Sequence, residues 1–188
     1  MVASMSLKFS IVTPSFRQLD WLRLCMASVA DQEGVIVEHI IQDAGTEGIQ
    51  KMFDECARSR KGSGYDAQLF VEKDNGMYDA INRGLRRATG DILAYLNCDE
   101  QYLPGTLNAV AKVFAQQSDV AVVLGNVVIV DTDGYYVCTR DVLQPSLYHT
   151  WVCTNPLFLA ATFFRRLWTI KTMIRTLSAK QNATTPRM

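Results

Sequence analysis

Chemistry-bearing side chains crowd into two stretches of this chain. "EKDNGMYDAINRG", Glu72 to Gly84, holds three carboxylates, two asparagines and two glycines around one tyrosine. "LNCDE", Leu96 to Glu100, ends an apolar run in Asn97, then a spacer, then adjacent Asp99 and Glu100. Adjacent carboxylates repel unless a cation or a set of hydrogen bonds offsets the repulsion. Hard oxygen ligands suit Mg²⁺ or Mn²⁺, ions usually held by one or two protein carboxylates plus substrate phosphates. The competing reading is local: an Asp or Glu at a strand end often caps a helix or closes a turn.

Which elements position these groups decides between the readings. "KFSIVT" (Lys8 to Thr13) is a β-branched run stopped by Pro14, and "VIVEHIIQ" (Val35 to Gln42) is a second strand. "AQLFVE" (Ala67 to Glu72) and "DILAYLN" (Asp91 to Asn97) are a third and a fourth. Between them, helical spacing runs over Leu19 to Gln32, about Ile49 to Ala57, and Tyr78 to Ala88. A further helix covers Pro104 to Gln117, with Pro104 suited to its first turn. "VAVVLGNVVIV" continues as strand, and "DTDG" (Asp131 to Gly134) turns into "YYVCTR" as a hairpin that adds mixed pairing.

Strands alternating with helices of this length specify an α/β fold with a mostly parallel, doubly wound sheet. In such sheets ligands bind outside the carboxyl ends of the strands. Those ends deliver Thr13-Pro14-Ser15, then Asp43, then Glu72-Lys73-Asp74, then Asn97-Cys98-Asp99-Glu100. Helix capping explains any one of them about as well as a ligand does. Four in succession favour a shared rim.

Length and charge bound the rest. The 188 residues make one domain of ordinary size, and 19 basic against 19 acidic residues exclude bulk nucleic-acid binding. All the carboxylates lie at or before Asp141, and the last 47 residues hold six Lys or Arg and none. Five scattered cysteines without C-x-x-C spacing fit neither a zinc site nor a disulfide framework. The longest apolar stretch, Pro156 to Phe164, is too short to span a bilayer. The expected location is cytoplasmic. Glycine patterns for a dinucleotide fold or a P-loop are absent. His39 reads as a satisfied buried or edge histidine, and the pairs Tyr135-Tyr136 and Phe163-Phe164 as core.

"FSIVTPSFRQLDWLRLCMASVADQ", "EHIIQDAGTEG", "EKDNGMYDAINRGLRRATGDILAYLNCDE" and "QYLPGTLNAVAKVF" resemble family 2 glycosyltransferases of GT-A fold, of the bacterial polysaccharide-biosynthesis type. The resemblance runs from about Lys8 to Phe114, with an echo at "ATFFRR" (Ala161 to Arg166), after which it fades. It implies a nucleotide-diphosphate sugar as donor, a glycan or lipid-linked acceptor, and Mg²⁺ or Mn²⁺ as cofactor. Residue by residue, Thr13 and Pro14 match the loop that touches the nucleoside, and Asp43 the carboxylate that accepts from the base. Asp99 matches the metal-ligating Asp of D-x-D, with Glu100 beside it, and Asn97 stands at the motif's first Asp. Asp74 and Asp79 lie in the donor-facing block, and Arg83 is available for a phosphate.

The resemblance also implies a carboxylate base downstream, for which Asp131, Asp133 and Asp141 are the candidates. The chain accordingly divides into residues 1–141, a donor-binding α/β domain, and 142–188, a basic remnant of the acceptor half. A helix from Phe164 to Leu177 would be basic and amphipathic, suited to peripheral contact with the inner membrane face. Two alternatives compete with the enzyme: a catalytically impaired nucleotide-sugar-binding module, and a nucleotidyltransferase. The latter would want a glycine-rich basic loop where "TPSFRQLD" stands.

Overall fold

The structure is a computed structural model, and it describes residues 7–58, 64–142 and 161–166. Its elements follow the expected alternation: β1 (Lys8–Ser15), α1 (Leu19–Ala30), β2 (Ile36–Asp43), α2 (Ile49–Arg58), β3 (Tyr65–Val71), α3 (Met77–Arg87), β4 (Ile92–Tyr95) and α4 (Thr106–Gln116). The short strands β5 (Val122–Leu124), β6 (Val127–Val130), β7 (Tyr136–Arg140) and β8 (Thr162–Arg165) complete the order. Pro104 lies ahead of α4, not in its first turn; Gly105, with φ 78°, takes the N-cap.

Six strands form one sheet in the order β3-β2-β1-β4-β8-β5. The pairs β1–β2, β2–β3 and β1–β4 are parallel, whereas β8 runs antiparallel to both β4 and β5. The mixed pairing of the main sheet therefore comes from β8, while the hairpin β6–β7 stands as a separate two-stranded sheet. The run "VAVVLGNVVIV" breaks at Gly125-Asn126, where Gly125 N–H donates to the carbonyl of Ala161 and ties β5 to the entry of β8. Phe164, expected to open an amphipathic helix, is a strand residue; the rest of that stretch, from Leu167 on, is outside the described residues. Because β8 sits between β4 and β5, the sheet draws on sequence beyond the boundary expected at residue 141.

Helices cover both faces, which is why β1 and β2 are buried at every position after their first. Phe9, Ile11, Ile92, Ala94 and Leu96 pack with Cys25 and Val29 of α1, Leu107 and Phe114 of α4, and Phe163. Leu22 and Met26 meet Ile41, Ile49 and Met52 beside them. On the opposite face Val12, Ile40, Leu93 and Tyr95 pack under Ile81 and Leu85 of α3. Gly84 permits that approach: a Cβ there would lie 2.3 Å from Val12 Cγ1.

The amino ends of the strands are tied by charge. Glu38, almost wholly buried, accepts from Lys8 Nζ (3.0 Å), Thr89 N (2.8 Å), Thr89 Oγ1 (2.6 Å) and Ser10 Oγ. Burial alone would raise its pKa, but the hydrogen bonds from Ser10 and Thr89 prevail and hold it at about 2. The expectation that Phe163 is core holds. Tyr135 and Tyr136, expected in the core, are 72% and 67% exposed on the hairpin.

Candidate active site at the carboxyl edge of the sheet

The chain leaves β1 for β2 and β3 on one side, then returns to β4 on the other. That reversal opens a crevice at the carboxyl ends of β1 and β4, the place where open α/β sheets bind ligands. Thr13, Pro14, Asp43, Asn97 and Asp99 all fall at this edge or on the turns that leave it, as their spacing implied.

The structure also shows what each side chain is engaged in. Thr13 is fully buried, its hydroxyl 2.9 Å from His39 Nε2, while His39 Nδ1 lies 2.8 Å from Tyr65 OH. His39 is thus a satisfied buried histidine, and its burial pulls its pKa down to about 3. Asp43 is fully buried too. Its Oδ1 accepts from Gly45 N (2.8 Å) and Thr46 N (2.6 Å), and its Oδ2 from Thr46 Oγ1 (2.8 Å). Thr46 Oγ1 accepts in turn from Arg17 N at 2.7 Å, so one hydroxyl clamps the β2–α2 turn to the β1–α1 turn. Asp43 therefore organises the turn above it from beneath.

The polar crowding of Glu72 to Gly84 has a similar explanation. Asp74 Oδ1 accepts from Gly76 N (2.9 Å), and Asp79 Oδ2 from Asn75 N (3.1 Å). Arg83, expected to be available for a phosphate, donates to Asp79 (2.7 Å) and to the carbonyl of Lys73 (3.0 Å). Arg87 stacks on Phe70 and binds Glu72 (2.7 Å) and Gln42 (2.8 Å). These contacts brace the β3–α3 loop against α3 and β2. Burial would raise the Asp79 pKa, but the bonds from Arg83 and Asn75 win and lower it.

Around β4 the arrangement is less complete. Glu100 folds back so that Oε2 accepts from Asn97 N at 2.8 Å, closing the Asn97–Glu100 turn, while Asp99 is exposed. Burial pushes the Glu100 carboxyl up, and the neighbouring charge of Asp99 adds to it. Asn97 Oδ1, Tyr95 OH, Asn82 Oδ1 and Ser15 Oγ are buried atoms without a hydrogen-bond partner. Buried orphans are rare enough to ask for a ligand or ordered water. Among the described residues no three His, Cys, Asp or Glu side chains gather to hold a metal unaided.

The catalytic candidates lie on the hairpin. Asp131 Oδ1 accepts from Asp133 N and Tyr135 N within its own turn, and Asp141 Oδ1 accepts from Asn126 Nδ2 at 2.8 Å. Arg17, Thr46 and Glu47 were missed by the sequence reading; with Leu19, Asp20 and Gly45 they line a cavity of about 640 Å³ between the first two turns. The "GTEG" stretch between two glycines was the signal for it.

Comparison with known proteins agrees with this architecture. Residues 10–179 match the family described as Glycosyl transferase family 2, a stretch that runs past Arg166, where the motif resemblance fades. The chain belongs to that family. It is 27% identical over 157 residues to a PGL/p-HBAD biosynthesis glycosyltransferase of Mycobacterium bovis (strain BCG / Pasteur 1173P2), covering 83% of this chain and 60% of the relative. The chain thus spans about three-fifths of that relative's length.

Among solved structures, S. aureus TarS 1-349 in complex with UDP aligns with a TM-score of 0.63 at 15% identity, over 85% of this chain and 47% of that one. A mannosyltransferase from Pyrobaculum calidifontis in complex with GDP-Man and Mn²⁺ aligns with a TM-score of 0.57 at 19% identity, over 65% and 36%. The fold is GT-A. No helix among the described residues is long and apolar enough to cross a membrane.

Proposed function

We propose that this chain is the donor-binding part of a glycosyltransferase. It takes a nucleotide-diphosphate sugar at the carboxyl edge of β1–β4 and passes the sugar to a glycan or lipid-linked acceptor. The observation that carries this is the pairing of the family match with a strand-reversal edge where the buried Asn97 Oδ1 lacks a hydrogen-bond partner. The mycobacterial relatives are named for a biosynthetic route, which supports transfer over hydrolysis as the productive direction.

A divalent cation fits the edge. Asp99 and Glu100 bring two adjacent carboxylates, Glu100 pushed towards its neutral form by burial first and by the Asp99 charge in addition. A cation held there would favour the ionised pair, with diphosphate oxygens as its further ligands. Bound there, Mg²⁺ or Mn²⁺ would stabilise charge on the leaving diphosphate, an effect worth several kcal/mol in order of magnitude. Asn97 is neutral, so it can hydrogen-bond a hydroxyl of the donor without adding charge. Asp74 and Asp79 keep the β3–α3 loop in place beside the donor, and Thr13 and Pro14 give the floor of the nucleoside end.

Transfer further requires a base for the acceptor hydroxyl. Residues 142–188 contain no Asp or Glu, and Ser or Thr cannot replace a carboxylate near pH 7. The base must come from Asp131, Asp133 or Asp141, or from a partner chain. Loss of a general base costs on the order of 10²–10⁴ in rate. The expected result is donor binding with transfer that is slow or absent in this chain alone. Measuring donor hydrolysis and sugar transfer tests it. Robust transfer that persists after Asp131→Asn, Asp133→Asn and Asp141→Asn are made in turn would overturn this account of the base.

A second arrangement follows from the strand order. Residues 1–141 together with β8 would form the donor unit, and the rest of 142–188 the start of an acceptor-facing part. A basic segment there could lie on an anionic membrane surface close to a lipid-linked acceptor.

A further inference from the structure

We infer that Gln18 and Cys98 are positioning residues for the cation. The contact between them holds the turn that carries Asp99 in a fixed place against the β1–α1 turn, so that nucleotide and cation meet at one edge. The inference rests on the nucleotide-sugar reading of that edge, and both residues act through Asp99 rather than on a ligand.

Gln18 is the N-cap residue of α1, where Ser, Thr, Asp or Asn usually turns its side chain onto the free N–H groups of the helix. The Gln18 side chain makes no such bond; the residue opens the helix through its carbonyl, which accepts from Leu22 N at 2.9 Å. Its Oε1 instead accepts from Cys98 Sγ, also at 2.9 Å, in the turn that follows β4. A glutamine at a cap it does not close is explained by that longer reach.

Cys98 is the middle residue of Asn97-Cys98-Asp99. Within the turn, Asn97 N donates to Glu100 Oε2 (2.8 Å) and Glu100 N to the Asn97 carbonyl (3.0 Å), which fixes the turn's shape but not its place. The strand ahead of it is tied to β1 by Leu96 N, which donates to the Val12 carbonyl at 2.9 Å. Beyond that bond Cys98 is an anchor: it is buried, packs with Leu22 and Met26 of α1 and Ile41 of β2, and sets its sulfur on Gln18. Asp99, the next residue, is exposed. Its backbone is therefore placed by a neighbour held on α1.

The residue before Gln18 is held as well. Arg17 N donates to Thr46 Oγ1 (2.7 Å), which donates to Asp43 Oδ2 (2.8 Å). Hydrogen bonds thus run from Asp43 through Thr46 and the Arg17–Gln18 backbone to Cys98, the residue before Asp99. Farther along α1, Ser28 Oγ accepts from Tyr102 N (3.2 Å), and Gln32 binds the Leu103 carbonyl (3.1 Å) and Leu107 N (3.0 Å). α1 therefore grips the β4–α4 connection at several points, and Gln18 is the grip at its cation end. Partners one step removed from a metal ligand typically set metal affinity by about 10- to 100-fold.

Calorimetric titration of UDP and of GDP, each with and without Mn²⁺, into this chain and its Gln18→Leu, Cys98→Ala and Cys98→Ser variants tests the assignment. The quantity read is the gain in nucleotide affinity that Mn²⁺ brings. Gln18→Leu and Cys98→Ala should each cut that gain about tenfold and leave the affinity without Mn²⁺ within about twofold. Cys98→Ser keeps a donor for Gln18 and should restore the gain to within about twofold of the parent. In the double variant the two losses should not add, because both remove one contact. An unchanged gain in Gln18→Leu or Cys98→Ala overturns the inference. So does an affinity without Mn²⁺ that falls as far as the affinity with it, or a Cys98→Ser variant no better than Cys98→Ala. Gln18 is exposed, so its variant keeps the fold. If neither diphosphate binds, the nucleotide-sugar reading itself fails; if one binds but Mn²⁺ adds nothing in the parent, the cation reading of Asp99 fails. The positioning role falls with either.

Discussion

Glu38 and His39 are neighbours in β2 whose burial has opposite electrostatic consequences. Glu38 stays ionised because four donors surround it, whereas His39 stays neutral because it is sealed between Thr13 and Tyr65. The histidine makes a testable claim on stability. The unfolded chain binds its proton near pH 6.5, but the folded chain does so only near 3. Its contribution is therefore complete above about pH 6.5 and is lost as pH falls towards 3, with about 2 kcal/mol gone by pH 5. Denaturant unfolding at pH 7, 6 and 5 should show this loss, and His39→Gln should flatten it. Equal pH slopes in the two proteins would remove His39 as the cause. The sequence marked His39 as structural because it interrupts an apolar run. It could not show that Asp43 turns inward, since a carboxylate after a strand looks the same whether it faces a ligand or its own loop.

At the scale of elements, α3 is the piece on which the site depends. Its first turn carries Asp79, its outer face carries Arg83 and Arg87, and together these brace the loop from Glu72 to Gly76. Its inner face must lie flat on β1, and Gly84 is the point of closest approach. Gly84→Ala should push α3 off Val12 and cost roughly 1–3 kcal/mol, as overpacking a tight contact usually does. Thermal unfolding reads the cost directly, and a variant as stable as the parent would mean that α3 can shift freely. The helices were legible because apolar residues recur at three and four positions, as in Leu22, Cys25, Met26 and Val29. The hairpin tyrosines were misread because aromatic residues in a strand imply burial only when something packs on that strand, and a two-stranded sheet has too little to offer.

For the molecule as a whole, local pattern reached the fold class and the common edge, but not the sheet's full order. Strands β1 to β4 each carry their own helix, so alternation alone placed them in a parallel sheet. β8 is four residues long and antiparallel, and its partners are set by Val122–Leu124 and Ile92–Leu93 across a long stretch of chain. No local periodicity encodes that pairing. Its consequence is large, because it seats Phe163 in the core and carries the sheet past residue 141.

The central claim is that one edge of this sheet holds a nucleoside diphosphate and a divalent cation together. Paramagnetic broadening of backbone amide signals by Mn²⁺ tests it most directly. With a nucleoside diphosphate present, substoichiometric Mn²⁺ should broaden the amides of Asn97 to Glu100 first, then those of the Glu72–Gly76 loop. The hairpin amides from Asp131 to Tyr136 should stay sharp, and Asp99→Asn should abolish the selective effect. Broadening centred on the hairpin, or none that depends on the nucleotide, would contradict the account.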